Sequence, residues 1–276
     1  MQRRFAQLDV FTAVPTRGNP LAVVIDGEGV TDDEMARFAN WTNLSETTFL
    51  LPPTDPGADY RVRIFTTTGE LPFAGHPTLG SCRAWLDHGG LPARPSVVVQ
   101  ECGVGLVTLR RDGERLAFAA PPRIRSGPVD DDLVGTIERA IGCPIIDAAW
   151  ADNGPGWVAA EVADEATLLG LTPDFSATPD LKLGLVARAP SGAAHDIEVR
   201  AFYPGLGGND EDPVTGSLNA SVAMWLMERD PSLTSYRARQ GTALGRDGQV
   251  WVERDNDDTI WIGGDTVTVI DGTVEL

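Results

Sequence analysis

One stretch of this chain, residues 213–227 (PVTGSLNASVAMWLM), carries no charged side chain. Proline is favoured at the first position of a helix, so the pattern predicts a helix from Pro213 to about Glu228. A helix that is apolar or small on every side has to be surrounded by protein. We therefore expect a curled sheet that encloses this helix.

The rest of the chain is rich in short runs of Val, Ile, Thr and aromatic residues, which predict strands. These runs are 59–65, 104–109, 115–119, 196–203, 249–253 and 258–262. Asp-Gly pairs at 26–27, 112–113, 247–248 and 271–272 are typical of tight hairpins. The sheet is therefore expected to be largely antiparallel, which disfavours a parallel dinucleotide-binding fold.

Two further helices have clear starting signals. Thr31 and Glu34 form a capping box before Met35 and Phe38, which predicts an amphipathic helix over about 32–42. Another is expected from Pro77 to the Gly-Gly pair at 89–90, again with proline at its first position.

The starts of the helices at Pro77 and Pro213 resemble each other. His76-Pro-Thr-Leu-Gly-Ser and Asp212-Pro-Val-Thr-Gly-Ser lie 136 residues apart, about half of the chain. This repeat predicts two similar domains, each a strand-rich shell around one helix. We place them at 1–122 and 123–276, and leave open whether the last strand returns to the N-terminal domain.

Composition restricts the partners. The 276 residues carry a formal net charge of −18, which repels phosphate backbones and anionic lipid surfaces. No apolar run approaches the roughly 20 residues that span a bilayer, and the three cysteines show no metal-binding or disulfide spacing. We expect a cytoplasmic protein with neither nucleic-acid nor membrane partners.

Glu46 is the first candidate for chemistry, since it lies in 43–49 (NLSETTF), which is predicted to begin a buried strand. Desolvation raises the pKa of a carboxyl group toward the range of a general base. Residues alone leave a structural alternative open, in which Glu46 caps a turn or pairs with Arg61 or Arg63.

His76 and Asp212 occupy the predicted helix starts, where exposed N–H groups and the helix dipole favour an anion such as a substrate carboxylate. Asp212 is equally suited to be a plain N-cap before proline. Gly75, Gly216 and Ser217 add unhindered N–H groups and a hydroxyl at the same points.

Other residues favour structural roles. His88 is expected to stabilise a helix C-terminus, and His195 to be solvated in a polar loop. The chain has one lysine, Lys182, and no phosphate-binding or serine-hydrolase motif. Acid–base chemistry is the class that remains.

Five ordered motifs resemble the PhzF-like family, named for the phenazine-biosynthesis isomerase and sharing the diaminopimelate-epimerase fold. They are Asp9-Val-Phe-Thr with Gly18-Asn-Pro-Leu-Ala-Val-Val, Asn43-Leu-Ser-Glu-Thr-Thr-Phe, Glu70-Leu-Pro-Phe-Ala-Gly-His-Pro, Glu211-Asp-Pro-Val-Thr-Gly-Ser and Gln240-Gly-Thr-Ala-Leu-Gly-Arg-Asp-Gly. The resemblance implies an α+β fold of two pseudo-symmetric domains, each an antiparallel barrel-like sheet around a central helix. It also implies an active site between the domains and a homodimer.

For the site, the resemblance implies that Glu46 is the proton-shuttling group, assisted by His76 and Asp212, without a metal or organic cofactor. The residues next to these groups and at the helix starts are predicted to bind a small carboxylate-bearing substrate: Ser45, Gly75, Thr215, Gly216 and Ser217.

The epimerases of this fold need a cysteine at each helix start, and this chain has none there. The resemblance therefore favours an isomerase similar to trans-2,3-dihydro-3-hydroxyanthranilate isomerase, acting on a cyclic or unsaturated amino acid in a biosynthetic pathway. An epimerase on the same fold and a non-catalytic small-molecule-binding protein remain as alternatives.

Overall fold

The computed structural model describes residues 1–205 and 208–276, and the chain divides into two compact units. Unit 1 contains Met1–Ala119 and Gly263–Leu276, and unit 2 contains Ala120–Ile262. These limits lie close to the predicted boundary after residue 122. The C-terminal strand pairs with the first strand along its length, from Gln2 opposite Glu275 to Val10 opposite Thr266.

Unit 1 is a mixed sheet with two helices. Its strands are β1 (Gln2–Val10), β2 (Asn19–Val24), β3 (Thr47–Leu51), β4 (Tyr60–Phe65), β5 (Glu70–Leu71), β6 (Val97–Cys102), β7 (Gly105–Asp112), β8 (Arg115–Ala119) and β18 (Thr266–Glu275). They pair in the order β18–β1–β2–β3–β4–β6–β7–β8, with β5 against β4, and β2–β3 and β4–β6 are parallel. The helices are α1 (Asp32–Thr42) and α2 (Gly75–Asp87).

Unit 2 contains β9 (Arg125–Pro128), β10 (Asp147–Asp152), β11 (Val158–Glu161), β12 (Leu183–Arg188), β13 (Ile197–Gly205), β14 (Gly208–Asp212), β15 (Ser235–Gln240) and β16 (Gly248–Arg254), with β17 (Ile260–Gly264) at its boundary. The pairing order is β9–β10–β11–β12–β13–β15–β16, with β14 against β13. Its helices are α3 (Asp131–Ile141), α4 (Glu165–Gly170) and α5 (Gly216–Arg229), and Thr242–Leu244 form a 3-10 turn.

The two units repeat one topology. In unit 1 the antiparallel pair β1–β2 is followed by α1, and in unit 2 the antiparallel pair β10–β11 is followed by α4. The next strand then pairs in parallel with the strand before the helix, as β3 does with β2 and β12 does with β11. A short antiparallel strand then leads into the central helix, α2 or α5. The predicted duplication is therefore present in the strand order as well as in the sequence.

Each central helix is enclosed. α2 contacts β1, β2, β3, β4, β6, β8 and β18 of its own unit, and every residue of α5 from Leu218 to Ala223 is buried. Gly80 permits the close fit of α2, because a Cβ there would lie 2.5 Å from Leu21 Cδ2 and 2.9 Å from Val10 Cγ2. The α+β prediction of a sheet around a central helix is confirmed, with parallel pairs added to the expected antiparallel ones.

The prediction of the first helix is confirmed, whereas most of the predicted hairpin turns are wrong. The capping box and the 32–42 helix are confirmed. Of the four Asp-Gly pairs only Asp112-Gly113 lies at a two-residue hairpin turn, which Gly113 and Glu114 form between β7 and β8, with Gly113 at φ 60°. The other three predictions are wrong, since Asp26 follows β2, Gly248 begins β16 and the pair at 271–272 lies inside β18. Among the described residues, no helix is long and apolar enough to cross a membrane.

Candidate active site

Glu46 is positioned by the turn between α1 and β3. Asn43 ends α1 with φ 54°, a left-handed conformation that asparagine tolerates, and β3 begins one residue after Glu46. The Glu46 side chain is 15% exposed. The two arginines named in the structural alternative pair with other residues, Arg63 with Asp32 and Glu70, and Arg61 with Glu101.

His76 faces Glu46. His76 is the second residue of α2, and its Nδ1 lies 3.4 Å from Glu46 Oε2. Burial lowers the pKa of His76 from 6.5 to about 3, with a smaller opposing effect from the backbone carbonyl of Pro20. The imidazole is therefore neutral at physiological pH, and the approach of its Nδ1 to Glu46 Oε2 is a polar contact at 3.4 Å, neither an ion pair nor a hydrogen bond.

The connection between β1 and β2 completes this region of unit 1. Asn19 is fully buried, and its Nδ2 lies 3.5 Å from His76 Nδ1. The buried Asp9 carboxylate accepts hydrogen bonds from the backbone N–H groups of Arg17 at 2.7 Å and Gly18 at 2.9 Å. Asp9 and Asn19 belong to the motifs quoted above, but their pattern alone does not indicate which helix they approach.

The start of α2 leaves its first N–H groups available to an acceptor. The N-cap residue is Ala74, which makes no side-chain capping bond, and Gly75 is the first helical residue. Ser45 is partly buried directly before Glu46. Unit 1 therefore holds four of the predicted site residues, Ser45, Glu46, Gly75 and His76, of which Glu46 and His76 are in contact.

Unit 2 holds the other four, and here the predicted helix start is wrong. Asp212 is the last residue of β14, and α5 begins at Gly216 with Thr215 as its N-cap residue. Asp212 is therefore not an N-cap, since three residues lie between it and the first residue of α5. Instead its Oδ2 accepts a hydrogen bond of 2.6 Å from the Thr215 hydroxyl group.

Gln240 of β15 fixes the direction of that hydrogen bond. Its Oε1 accepts from the Thr215 backbone N–H at 3.0 Å and from Asn219 Nδ2 at 2.8 Å, so its Nε2 must be the atom 2.9 Å from Thr215 Oγ1. Because an amide NH₂ group only donates, the Thr215 hydroxyl accepts from Gln240 and gives its own proton to Asp212. Gln240 is fully buried, and its role was not predicted.

The helix starts also correct the alignment of the two halves. Gly75 and Gly216, the first residues of α2 and α5, lie 141 residues apart rather than 136. The counterpart of His76 is therefore Ser217, not Asp212. The sequence comparison matched the Gly-Ser pairs at 80–81 and 216–217, which occupy different turns of their helices.

His195 is not the solvated residue that its polar loop predicts. It is buried in unit 2, with Nε2 3.0 Å from Glu165 Oε2 and 3.8 Å from Glu198 Oε2. Arg239 bonds both carboxylates at 2.6 Å. Burial raises the pKa of Glu198, the most enclosed of these groups. The group is an ion-pair network that joins α4 to β13 and β15.

Cys82 has no part in acid–base chemistry. It lies inside α2, is fully buried, and burial raises the pKa of its thiol group to about 12. The nucleophilic thiolate is therefore not formed at physiological pH. This agrees with the expectation that the chain does not use a cysteine pair.

Comparisons with known proteins agree with the fold and the motifs. The sequence model of the family described as phenazine biosynthesis-like protein matches residues 8–272. The chain is 33% identical to antisense-enhancing sequence 1 of Schizosaccharomyces pombe, over 98% of each chain. It is 32% identical to the trans-2,3-dihydro-3-hydroxyanthranilate isomerase of Pseudomonas aeruginosa, over 90% of this chain and 89% of that protein. A crystal structure from Enterococcus faecalis, described as a phenazine biosynthesis protein of the PhzF family, superposes with a TM-score of 0.83 at 26% identity and covers both chains fully.

Proposed function

This chain belongs to the phenazine biosynthesis-like protein family and is an isomerase-type enzyme, and on that premise we propose that it moves a proton between two carbons of a small carboxylate-bearing substrate. The substrate class is a cyclic or unsaturated amino acid, similar to the dihydro-hydroxyanthranilate named for its Pseudomonas relative. We propose that the reaction needs no metal or organic cofactor and serves a biosynthetic pathway. The predicted homodimer and cytoplasmic location stay predictions.

The contact between Glu46 and the neutral His76 carries this proposal. The Glu46 carboxylate removes a proton from a carbon next to an unsaturated or carboxyl-bearing centre, and the electron pair moves through the conjugated system. The protonated Glu46 then returns the proton to another carbon. The substrate gains and loses one proton, so the step is an isomerisation without oxidation or reduction.

A neutral imidazole suits both states of such a shuttle. With a proton on Nδ1 it donates to the Glu46 carboxylate, and without one it accepts from the protonated carboxyl group. A cationic histidine would instead hold Glu46 in its ionised form and weaken it as a base. The burial that keeps His76 uncharged therefore favours proton transfer by Glu46.

The roles of the remaining residues are part of the proposal. We propose that Asp212 assists the transfer and that its Thr215 hydrogen bond orients it. Ser45, together with the N–H groups of Gly75 and Gly216 and the hydroxyl of Ser217, is proposed to bind the substrate, with the carboxylate at the uncapped helix starts.

The test is deuterium incorporation from heavy water into trans-2,3-dihydro-3-hydroxyanthranilate and related unsaturated amino acids. We expect Glu46→Gln to lose at least about 100-fold in exchange rate, the usual contribution of a positioned base. Glu101→Gln is the matched control, because Glu101 lies in the same unit and its side chain is also 15% exposed, but it is held by Thr54. Equal exchange in wild type and Glu46→Gln would remove Glu46 from this role.

The same samples separate the reaction types. Deuterium at a new carbon together with a shifted double bond indicates isomerisation. Deuterium at the original carbon with inverted configuration, seen by chiral chromatography, indicates the epimerase alternative. Full activity after treatment with a metal chelator is expected if the reaction is cofactor-independent.

A further inference from the structure

The loop that joins β10 to β11, residues 152–157, is built against the start of α5. The Asp152 carboxylate accepts hydrogen bonds of 2.7 Å from the backbone N–H groups of Gly154 and Gly156. Both glycines have positive φ, 135° and 93°, which other residues rarely adopt. The single lysine, Lys182, donates to the Pro155 carbonyl at 2.6 Å. The Asp152 carboxylate and the Lys182 ammonium group thus both stabilise the backbone of this loop.

Two side chains of this loop contact Ser217. Asn153 Nδ2 donates to the Ser217 backbone carbonyl at 2.9 Å. The Trp157 indole Nε1 lies 3.0 Å from Ser217 Oγ, and Trp157 is only 4% exposed. Both contacts donate to Ser217 and so join the loop to the first turn of α5, while the first N–H groups of α5 keep no side-chain cap.

The indole contact fixes the direction in which Ser217 bonds. An indole N–H group only donates, so Ser217 Oγ must accept from Trp157. The hydroxyl proton of Ser217 is then left for a second partner, and the described part of the chain provides no acceptor for it. Ser217 Oγ keeps one further lone pair, but its single proton can be donated only to a hydrogen-bond acceptor, such as a carboxylate oxygen.

Unit 1 contains the same arrangement with different chemistry. There the connection between β1 and β2, organised by the Asp9 carboxylate, places Asn19 beside His76 of α2. His76 and Ser217 are both the second residue of their helix. The β1–β2 region of unit 1 and the β10–β11 connection of unit 2 therefore approach the side chain at this position.

We propose that Trp157 is a positioning residue that occupies one lone pair of Ser217 Oγ and so favours Ser217 as a hydrogen-bond donor to a carboxylate oxygen of the substrate. This inference rests on the proposed function, in which Ser217 binds the substrate. Without the indole N–H, the Ser217 hydroxyl is free to rotate and presents a lone pair as readily as its proton.

The first arm of the test needs no ligand. The ¹H–¹⁵N signal of the Trp157 indole is compared in wild type and Ser217→Ala, with the other six tryptophans as internal controls. We expect the Trp157 signal alone to shift and its hydrogen exchange to accelerate when the acceptor is removed. An unchanged Trp157 signal would overturn the inference, whatever the substrate is.

The second arm measures binding of 3-hydroxyanthranilate, a non-reacting aromatic analogue, by calorimetry to wild type, Trp157→Phe, Ser217→Ala and the double variant. We expect each single change to weaken binding about tenfold, and the double variant to bind no more weakly than Ser217→Ala, because one interaction is removed in all three. Binding of 2-aminophenol, which lacks the carboxylate, should differ less than about twofold among the four proteins.

The outcomes separate the two proposals. Additive losses, or equal losses for both ligands, would show that Trp157 acts as ordinary packing and would overturn the inference. If the wild type does not bind 3-hydroxyanthranilate, the proposed substrate class fails, and the indole spectrum alone decides whether Trp157 holds Ser217. If Trp157→Phe does not fold, the spectrum of Ser217→Ala still gives the answer.

Discussion

The buried neutral His76 should make the stability of this protein fall as the pH falls. Its imidazole is 5% exposed, and burial lowers its pKa from 6.5 to about 3. Between those values the unfolded chain binds a proton at this residue that the folded chain does not bind, so acid favours the unfolded state. From pH 8 to pH 4.5 this linkage removes about 3 kcal/mol from the free energy of unfolding.

The perturbation is His76→Asn, which removes the titrating group and keeps a polar side chain beside Glu46. Urea unfolding of wild type and variant, followed by circular dichroism at pH 8 and pH 4.5, gives the change in unfolding free energy for each protein. We expect that change to be about 3 kcal/mol smaller in His76→Asn. His88→Asn, at the other end of α2, controls for the loss of an imidazole.

Only the pH dependence bears on this reasoning, because His76→Asn will also alter stability at every pH by changing the packing of α2. Parallel profiles for wild type and His76→Asn would show that the folded chain protonates His76 as readily as the unfolded chain does. In that case His76 would be cationic in weak acid, and the argument for a neutral partner of Glu46 would be lost.

Two further predictions concern stability. Gly18→Ala places a Cβ 2.1 Å from the Val10 carbonyl oxygen, a backbone atom that cannot move aside. We therefore expect the free energy of unfolding, measured by thermal unfolding, to fall by at least about 2 kcal/mol. Gly69→Ala is the control and should be nearly neutral, because a Cβ there meets nothing within 4 Å. Arg239→Met removes the guanidinium group that pairs with the fully buried Glu198. We expect the free energy of unfolding, measured in urea, to fall by about 3 kcal/mol. A second change, Glu198→Gln, should recover much of that loss, and no recovery would contradict the ion-pair explanation.

The sequence predicts well those features that short segments determine. The helix at Asp32–Thr42 was placed at its observed ends because its capping box and apolar spacing act within a few residues. The sequence also predicts that both central helices exist, but it places their first residues wrongly. The rule that proline favours the first helical position does not hold for either helix. Pro77 is the third residue of α2, and Pro213 precedes α5 by three residues.

Features that depend on distant residues were not predictable in the same way. The parallel pairing of β2 with β3 joins two strands that α1 separates in the sequence. No pattern within a short segment predicts such a pairing. His195 lies in a polar loop by sequence, yet Glu165 and Glu198, from other elements, enclose it. Glu46 and His76 were singled out separately, and only the fold brings them within 3.4 Å.

The two units share one topology, and they differ in the side chain at the second position of the central helix. Both helices begin without a side-chain cap, so their first N–H groups favour an anion. The β1–β2 region of unit 1 and the β10–β11 connection of unit 2 approach the side chain at the second position. In unit 1 that side chain is an imidazole beside a carboxyl group, which can take part in proton transfer. In unit 2 it is a hydroxyl group that accepts a hydrogen bond from Trp157 Nε1 and has one proton to donate to an acceptor. The repeat therefore supplies two similar uncapped helix starts, and our proposal assigns proton transfer to the one whose second residue is an imidazole beside a carboxyl group.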